Sequence, residues 1–487
     1  MSAEINKLNP EPVWNYFYEL TRIPRPTGHT EAVAAYVESF GKALGLETLR
    51  DEAGNVLVRK PATTGMEDCK TVILQSHLDM VPQKNSSVHH DFLTDPVHPY
   101  IDGDWVTAQD TTLGADNGIG VALAMAVLSG ESLVHGPVEA LFTIDEEVGM
   151  TGAFGLKPGF LNGRVLINCD SEEEGELFVG CAGGADLNIS FRFKDDLYVP
   201  EGDIAVKLSL TGLKGGHSGV DIHLGRANAN KLLFRFLKEA VAGYGARLSS
   251  IEGGSLRNAI PREAFAVITI PVSNADLFWE MVSDYQDLFR AEFAGIETDI
   301  HFTAEKVELP STLIPEEIQD DLVNAVEGCQ NGVISMLQDF PGTVESSSNL
   351  AVVTSSPGLI EIKILVRSSS ESRKEWLCSG LESVFSLAGA KVEHGGSYNG
   401  WQPNIESPIL KLMLGVYEGL YGKRPSVKVM HAGLECGIIQ GIFPDMDMIS
   451  IGPDLKFPHS PDEKVNITSV GKVWNYLKMS LEQINNL

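Results

Sequence analysis

The sequence predicts an α/β domain whose chain is interrupted by an inserted α+β domain. Before residue 187 and again after residue 398, short apolar runs alternate with stretches of helical spacing. Between these positions, the strands alternate apolar and polar residues. Continuous apolar strands are typical of a sheet covered by helices, whereas alternation indicates a sheet with one solvated face. We therefore predict one domain from residues 1–186 and 399–487, and a second from residues 187–398.

In the first segment, helices and short strands follow one another along the chain. Residues 30–44 place apolar side chains three and four residues apart, and Gly45 follows as a helix stop. The largely apolar run 138–144 is typical of a buried strand. The predicted helices are 11–22, 28–45 and 118–128, and the predicted strands are 46–49, 56–58, 72–74, 138–144 and 165–167.

The insertion has a different pattern. Residues 189–193, 206–210 and 360–366 alternate apolar and polar side chains, as half-exposed antiparallel strands do. The predicted helices of this segment are 226–243, 274–291 and 371–388. After residue 398, a predicted helix at 406–420 and a predicted strand at 448–451 return to the first pattern. No internal repeat is visible in the sequence.

Composition and charge exclude several kinds of partner. The 487 residues include 37 Lys and Arg against 66 Asp and Glu, a formal net charge of −29. Such a surface repels nucleic-acid phosphates and anionic membranes, so we predict neither as a partner. The six cysteines form no C-x-x-C pair, which favours reduced thiols. Since no signal peptide is visible and no apolar run approaches ~18 residues, we predict a cytoplasmic protein without a membrane span.

Histidine and acidic residues follow the predicted strands, at the edge of an α/β sheet where ligands bind. These residues are His77, Asp79, Asp116, Glu146, Glu147, Asp170 and His459. Imidazole and carboxylate groups are good metal ligands, and a carboxylate beside a ligand histidine holds its ring in place. Each stretch alone is more commonly structural or solvated, but together they predict a metal site. A dinucleotide site is not predicted, because Leu123 stands where G-x-G-x-x-G needs its third glycine.

Five of these stretches follow one another in a distinctive order. They are Ser76-His77-Leu78-Asp79, Gly114-Ala115-Asp116-Asn117-Gly118, Asp145-Glu146-Glu147-Val148-Gly149, the strand-end Asp170, and His459-Ser460-Pro461. This order resembles the M20 metallopeptidase family. Segments 168–177 and 431–436 resemble its aminoacyl-histidine dipeptidase branch, which is carnosinase-like. The resemblance covers essentially the whole chain and implies a mixed-sheet catalytic domain of phosphorylase/hydrolase-like type with an inserted lid and dimerisation domain.

The resemblance implies a catalytic site with two Zn²⁺ ions per subunit, for which Mn²⁺ or Co²⁺ are possible substitutes. His77 and Asp170 would hold one ion, Glu147 and His459 the other, and Asp116 would bridge them. Asp79 would brace His77, and Glu146 would be the general base for a metal-bound water. The resemblance also implies a cis peptide bond between Asp116 and Asn117. No role is predicted for Asp145.

The resemblance also implies substrate-binding residues in the insertion and after it. His217, in Gly215-Gly216-His217-Ser218-Gly219, would reach the active site of a partner subunit and steady the oxyanion of the reaction. Asn258 would donate to the substrate backbone. Arg367 would bind the substrate's C-terminal carboxylate, which a planar guanidinium does well. His431 and Glu435 would lie near the substrate. The expected assembly is a homodimer formed through the lid domain.

The function implied by this resemblance is hydrolysis of short peptides, preferably Xaa-His dipeptides such as β-alanyl-histidine. A related amidohydrolase is the alternative, either an N-acyl amino acid deacylase or an aminopeptidase or carboxypeptidase of the same superfamily, because the same ligands would serve either chemistry. A non-catalytic binding or scaffold protein with the same fold is a third hypothesis. Every expected ligand and base position is filled, which argues against it.

Overall fold

The computed structural model describes residues 2–484, and the chain divides into two compact units. Unit 1 contains the chain up to Cys181, residues Trp401–Val429 and the chain from Leu434 onward. Unit 2 contains Ala182–Gly400 together with Met430–Gly433. No helix among the described residues is long and apolar enough to cross a membrane.

The helices and strands of both units are numbered in chain order. The α-helices are α1 (Glu11–Thr21), α2 (Glu31–Ala43), α3 (Ala115–Ser129), α4 (Thr151–Gly155), α5 (Ala229–Tyr244), α6 (Ala275–Glu292), α7 (Glu316–Gly328), α8 (Glu371–Leu387), α9 (Pro408–Tyr421), α10 (Glu435–Ile442) and α11 (Ile467–Gln483), and short 3₁₀ helices span Ser2–Lys7, Ile222–Leu224 and Val272–Asn274. The strands are β1 (Glu47–Arg50), β2 (Val56–Lys60), β3 (Val72–His77), β4 (Pro99–Asp102), β5 (Trp105–Ala108), β6 (Val138–Thr143), β7 (Val165–Asn168), β8 (Glu176–Cys181), β9 (Gly183–Arg192), β10 (Asp203–Thr211), β11 (Gly216–His217), β12 (Arg247–Gly253), β13 (Ala259–Ile260), β14 (Ala264–Pro271), β15 (His301–Val307), β16 (Gly332–Met336), β17 (Val344–Ser356), β18 (Leu359–Ser368), β19 (Lys391–Tyr398), β20 (Ser426–Met430), β21 (Asp447–Ser450), β22 (Leu455–Lys456) and β23 (Lys464–Asn466).

Unit 1 is built on an eight-stranded mixed sheet with the order β1-β2-β6-β3-β7-β21-β8-β20. Its central strands β6, β3, β7 and β21 are parallel, and the flanking pairs β1–β2, β2–β6 and β21–β8 are antiparallel. All residues of β3, β6 and β7 are buried, as expected for a parallel sheet that is covered on both faces. The predicted α/β class with a mixed sheet is confirmed.

The register of the parallel strands sets the position of the predicted site. His77 lies beside Thr143, and Gln75 lies beside Asn168. The carboxyl ends of β3, β6 and β7 therefore meet at one edge of the sheet. Residues that follow these strands in sequence are brought together there, although they are far apart in the chain.

Unit 2 contains a nine-stranded antiparallel sheet with the order β15-β10-β14-β12-β17-β18-β9-β19, and β16 pairs with β17. The alternation predicted at 189–193, 206–210 and 360–366 is confirmed by the burial along β9 and β10, and in β18 it extends over residues 360–364. Apolar side chains of α5, α6, α7 and α8 form one buried cluster with those of the sheet. The predicted helix 226–243 begins instead at Ala229, because the Asn228 side chain caps it by accepting the Lys231 N–H.

Unit 2 is also a duplication that the sequence did not reveal. Strands β10, β12, β14 and β15 with helices α5 and α6 form a β-α-β-β-α-β half, whose strand order is β15-β10-β14-β12. A second half repeats this β-α-β-β-α-β arrangement with β9, α7, β17, β18, α8 and β19. Its corresponding strands cross the sheet in the reverse order, β17-β18-β9-β19. The halves join where β12 pairs with β17. Because β9 precedes the entire first half in the chain, the second half is not continuous in sequence.

Candidate functional site

The edge of the unit 1 sheet carries a first group of potential metal ligands. One donor atom from each of His77, Asp116 and Asp170 lies within 4.8 Å of the others. The His77 Nε2 atom is 3.1 Å from Asp116 Oδ1 and 3.3 Å from Asp170 Oδ1. His77 is the last residue of β3, and Asp170 follows the end of β7 by two residues.

A second group shares one residue with the first. Asp116, Glu147 and His459 also place donor atoms within 4.8 Å of one another. The His459 Nε2 atom lies 3.2 Å from Asp116 Oδ2 and 3.0 Å from Glu147 Oε2. Asp116 therefore directs one carboxylate oxygen to each group, as a bridging ligand must. His77, Glu146 and Glu147 also place donor atoms within 4.8 Å of one another. The peptide bond between Asp116 and Asn117 is cis.

The donor set fits two divalent cations of the zinc type. Ligands of a tetrahedral zinc ion lie roughly 3.3–3.6 Å from one another, given bonds of about 2.0–2.2 Å. The separations of 3.0–3.3 Å in both groups come near this spacing. Two buried carboxylate oxygens, Glu147 Oε1 and Asp170 Oδ1, make no hydrogen bond among the described residues, although Asp170 Oδ1 lies 3.3 Å from His77 Nε2. Buried carboxylate oxygens without partners are costly, and a bound cation would satisfy them. The assignment of individual ligands stays a prediction.

The acidic residues of the site perturb one another. Burial raises the pKa of Asp170 to about 6. The charge of His77 opposes this shift, and the charges of Asp116 and Glu147 add to it. For Asp116, burial raises the pKa, but hydrogen bonds from His459 and His77 outweigh it and leave the pKa well below its usual value. Burial also raises the pKa of Glu146 well above its usual value. A protein group that must take up a proton near neutral pH benefits from a shift in this direction.

Asp79 contacts the backbone of Glu146 and Glu147 and the ring of His77 through its carboxylate. Its Oδ1 atom accepts the Glu146 N–H at 3.0 Å and lies 3.3 Å from His77 Nδ1. Its Oδ2 atom accepts the Thr27 hydroxyl at 2.9 Å and the Glu147 N–H at 3.2 Å. Burial alone would raise the pKa of Asp79, but the hydrogen bond with His77 lowers it to about 2. The ionised carboxylate favours a proton on His77 Nδ1, so Nε2, which faces Asp116 and Asp170, is the ring atom that would bind a metal ion.

Asp145 has a structural role that sequence reasoning missed. Its backbone has a φ of 51°, and its Oδ1 atom accepts the Gly28 N–H at 2.8 Å. This contact holds the turn that carries Glu146 and Glu147 against the segment Arg25–Gly28. No sequence signal could have identified the partner, because Gly28 donates through its backbone and lies 117 residues away.

Glu435 lies inside unit 1 and is fully buried. Its Oε2 atom accepts the Gln75 amide at 2.6 Å and the Thr143 hydroxyl at 2.7 Å. Burial raises the pKa of Glu435 to about 7. Both hydrogen-bond partners belong to the strands that end at the site. The predicted contact between Glu435 and substrate stays a prediction.

Unit 2 brings together most of the other predicted residues. Arg367 is only 6% exposed, with Nε 3.4 Å from the Ser218 hydroxyl and Nη1 3.1 Å from the Tyr398 hydroxyl. Ser218 also donates its N–H to the carbonyl of Asn258 at 2.8 Å, while Asn258 itself is exposed. Among the described residues, no carboxylate lies within ion-pair distance of Arg367. A buried guanidinium without an anion is suited to receive one.

One histidine of unit 2 is held in a defined tautomer, and a second is buried beside a hydroxyl group. His217 Nδ1 accepts the N–H groups of Gly219 and Val220 at 3.1 and 3.2 Å, so the ring proton is on Nε2. Burial and the charge of Arg367 lower the pKa of His217, which favours the neutral ring. His431 is buried, its Nε2 atom lies 2.7 Å from the Ser347 hydroxyl, and burial lowers its pKa to about 3.

Comparison with known proteins decides the family. The model of Peptidase family M20/M25/M40 matches residues 73–483. The chain belongs to this family. This M20 chain is 47% identical over 482 residues to the cytosol non-specific dipeptidase of Escherichia coli (strain K12), with 99% of each chain covered.

Solved structures agree with the M20 assignment. The aminoacylhistidine dipeptidase from Vibrio alginolyticus matches with a TM-score of 0.92 and 48% identity, over 98% of this chain and 97% of that one. Aminopeptidase PepT from Bacillus cereus ATCC 10987 has a TM-score of 0.57 at 17% identity, over 98% and 99% of the two chains, and shows the shared fold alone. The family predicted from the five sequence stretches is confirmed, and the chain is an M20 metallopeptidase.

Proposed function

We propose that this M20 enzyme is a metal-dependent dipeptidase that hydrolyses Xaa-His dipeptides, such as β-alanyl-histidine, among other short peptides. The observation that carries the proposal is the pair of donor groups that share Asp116, with Glu146 beside the ligand candidate Glu147. The two most similar relatives described above carry names of dipeptidases. One name denotes broad specificity and the other aminoacyl-histidine substrates, which supports a preference for Xaa-His rather than a strict requirement.

The metal centre would hold two Zn²⁺ ions, with Mn²⁺ or Co²⁺ as substitutes in a site of imidazole and carboxylate ligands. His77 and Asp170 would hold one ion, Glu147 and His459 the other, and Asp116 both. When bound, such ions lower the pKa of a coordinated water to about 7 and polarise a carbonyl oxygen.

Glu146 is the general base in this proposal. Its N–H is fixed by Asp79 at 3.0 Å, so its backbone is held while its side chain remains available for proton transfer. Burial raises its pKa, which suits a group that accepts a proton and then returns it to the leaving amine. Such proton transfer contributes about 10²–10⁴-fold to rate.

Residues of unit 2 would bind the substrate and stabilise the transition state. His217 offers its Nε2–H as a neutral hydrogen-bond donor, which suits a developing oxyanion. Arg367 would bind the C-terminal carboxylate, because it is buried and has no carboxylate partner among the described residues. The exposed Asn258 would donate to the substrate backbone. The lid role of this unit stays a prediction.

An N-acyl amino acid deacylase is the second candidate, because its substrates carry the same C-terminal carboxylate that Arg367 would bind. Rates on β-alanyl-histidine and on N-acetyl amino acids separate the two functions. We expect cleavage of the dipeptide at a kcat/KM at least tenfold higher. The reverse order would replace the dipeptidase proposal with the deacylase.

Chelation and one substitution test the mechanism. Removal of metal should abolish dipeptide hydrolysis, and Zn²⁺ should restore it. Glu146→Gln should lower kcat by about 10²–10⁴-fold while the bound metal, measured by elemental analysis, stays at the wild-type level. Asp145→Asn is the matched control, because that carboxylate is its chain neighbour and contacts Gly28 instead. A Glu146→Gln enzyme with near-normal kcat would contradict the base assignment.

A homodimer formed through unit 2 and a cytoplasmic location stay predictions. The location has support in the name of the Escherichia coli relative, a cytosol dipeptidase. The dimer can be tested by mixing His217→Ala and Glu146→Gln subunits. If His217 acts across subunits, mixed dimers regain activity. If no activity returns, His217 does not act on the site of a partner.

A further inference from the structure

Glu463 binds residues 113–116, here called the Asp116 loop, whose last two residues open α3 with Asp116 itself in a non-helical conformation. Its Oε2 atom accepts the N–H groups of Leu113 and Gly114 at 2.8 and 3.0 Å. Its Oε1 atom accepts those of Ala115 and Asp116 at 2.7 and 3.2 Å. Glu463 is only 2% exposed, so one buried carboxylate satisfies four successive backbone donors.

A buried guanidinium holds the same loop through its carbonyl side. Arg25 donates from Nη1 to the carbonyls of Leu78 and Asp79, both at 2.9 Å, and from Nη2 to the carbonyl of Gly114. Arg25 is also 2% exposed. The loop before Asp116 is therefore fixed on its N–H side by Glu463 and on its carbonyl side by Arg25.

Glu463 also connects this loop to the segment that carries His459. It lies four residues after His459, and its own carbonyl accepts the Thr107 hydroxyl at 2.7 Å. The backbone around Glu463 is thus anchored independently of its side chain. Two of the ligand candidates in the second donor group, Asp116 and His459, are consequently held relative to one another by this single carboxylate.

We infer that Glu463 is a positioning residue for the metal centre, which sets the place of Asp116 between the two donor groups. This inference rests on the proposed function, because it assumes that Asp116 binds metal. The physical basis is that four buried N–H groups share this one carboxylate. A glutamine at this position keeps one oxygen acceptor but turns an amide NH₂ group towards two of the four donors, and buried donors without an acceptor are costly. Replacing a residue that supports metal ligands in this way lowers metal affinity by about 10–100-fold.

Glu139 provides a matched control within unit 1. It is likewise 2% exposed, accepts the N–H groups of Asn162 and Gly163 at 2.9 Å each, and pairs with Arg59 Nε at 2.7 Å. It lies near the start of β6, whereas the site follows the other end of that strand. A general loss of stability from neutralising a buried carboxylate should therefore affect Glu139→Gln and Glu463→Gln alike.

The experiment measures Co²⁺ binding to metal-free full-length protein by calorimetry and by the visible absorption of the bound ion. We expect Glu463→Gln to bind Co²⁺ about 10–100-fold more weakly than wild type, and to show an altered absorption band at saturation. Glu139→Gln should bind within about twofold of wild type. If Glu463→Gln does not fold, Glu463→Asp, which keeps the charge but is one methylene shorter, should show a smaller loss in the same direction.

The outcomes separate the inference from the proposed function. Wild-type affinity and an unchanged spectrum in the Glu463 variant overturn the positioning role, as does an equal loss of affinity in Glu139→Gln. If the wild-type chain binds no Co²⁺ or Zn²⁺, the proposed function fails and the inference fails with it. If wild type binds metal and hydrolyses dipeptides while the Glu463 variant binds equally well, only the inference is wrong.

Discussion

Replacing Arg367 with methionine should separate substrate binding from stability. The guanidinium is 6% exposed, its two hydrogen bonds go to the hydroxyls of Ser218 and Tyr398, and no carboxylate among residues 2–484 lies within ion-pair distance of it. Methionine has a similar length and flexibility but no charge. If this charge serves the carboxylate of the substrate, its removal should damage catalysis without unfolding the protein.

The magnitudes follow from these contacts. Truncating one partner of a buried, hydrogen-bonded charge pair costs about 2–5 kcal/mol, which corresponds to a loss of about 30- to 5,000-fold in kcat/KM. The loss of two hydrogen bonds lowers the free energy of unfolding by about 1 kcal/mol each. Removal of a buried charge that has no carboxylate within ion-pair distance returns several kcal/mol of desolvation energy, less its weaker attraction to Asp186. The free energy of unfolding of Arg367→Met should therefore be unchanged or higher.

Two assays test this prediction together. Hydrolysis of β-alanyl-histidine is compared with that of its C-terminal amide, and unfolding is followed in urea. Wild type should strongly prefer the free carboxylate, whereas Arg367→Met should treat the two substrates alike. Arg257→Met is the control, because Arg257 already pairs with Asp186 at 3.2 Å and should lose stability on substitution. An Arg367→Met protein that loses more than about 2 kcal/mol and still prefers the free carboxylate would refute the reasoning.

Three further substitutions test the geometry of each unit. His217→Ala should lower kcat about 10²–10³-fold, because one hydrogen-bond donor to the oxyanion is lost. Steady-state kinetics measure kcat, and elemental analysis should show little change in bound metal. An unchanged kcat would exclude the oxyanion role of His217. The pKa of His431 is about 3 in the folded protein and near 6.5 in the unfolded chain. Between these pH values the unfolded chain therefore binds a proton at His431 that the folded protein does not bind. As the pH falls from 6.5 to 5, the free energy of unfolding of wild type should therefore decrease by up to ~1.4 kcal/mol per pH unit relative to that of His431→Gln. Urea unfolding at each pH measures both values, and an equal pH dependence of the two proteins would contradict this. Gly114→Ala should lower the free energy of unfolding by more than Gly422→Ala does. Both glycines have a positive φ, of 70° and 66°, but only a Cβ at Gly114 would lie 2.7 Å from Arg25 Nη2. Equal losses in the two variants would show that Arg25 moves away from the new Cβ.

The metal-site candidates were accessible from the sequence because they follow buried strands. Parallel strands align their carboxyl ends, so His77 at the end of β3 and Asp170 after β7 had to approach one another once the strand order was β6-β3-β7. His459 lies in the loop between β22 and β23, and Asp116 lies in the non-helical start of α3. Their placement came from the family resemblance rather than from strand geometry. The structure brings all of these groups to one edge of unit 1.

The residues that sequence reasoning missed act through backbone atoms. Asp145, Glu463 and Arg25 each bind N–H or carbonyl groups of distant segments. A backbone partner carries no residue type, so no motif or spacing records it. The duplication in unit 2 was missed for a topological reason, because β9 is separated from the rest of its half by the whole of the other half.

The hydrogen bonds between Glu463 and the Asp116 loop have a consequence for biosynthesis. Glu463 and the four N–H groups that it accepts are separated by 347 to 350 residues. At roughly 5–20 residues per second, a ribosome needs about 20–70 s to make that length of chain. During the later part of this time the nascent chain contains His77, Asp116, Glu147 and Asp170 but neither His459 nor Glu463. The four N–H groups of the Asp116 loop therefore lack this acceptor until residue 463 has been made, so the native arrangement of the segment forms only after the chain has grown by about 350 residues.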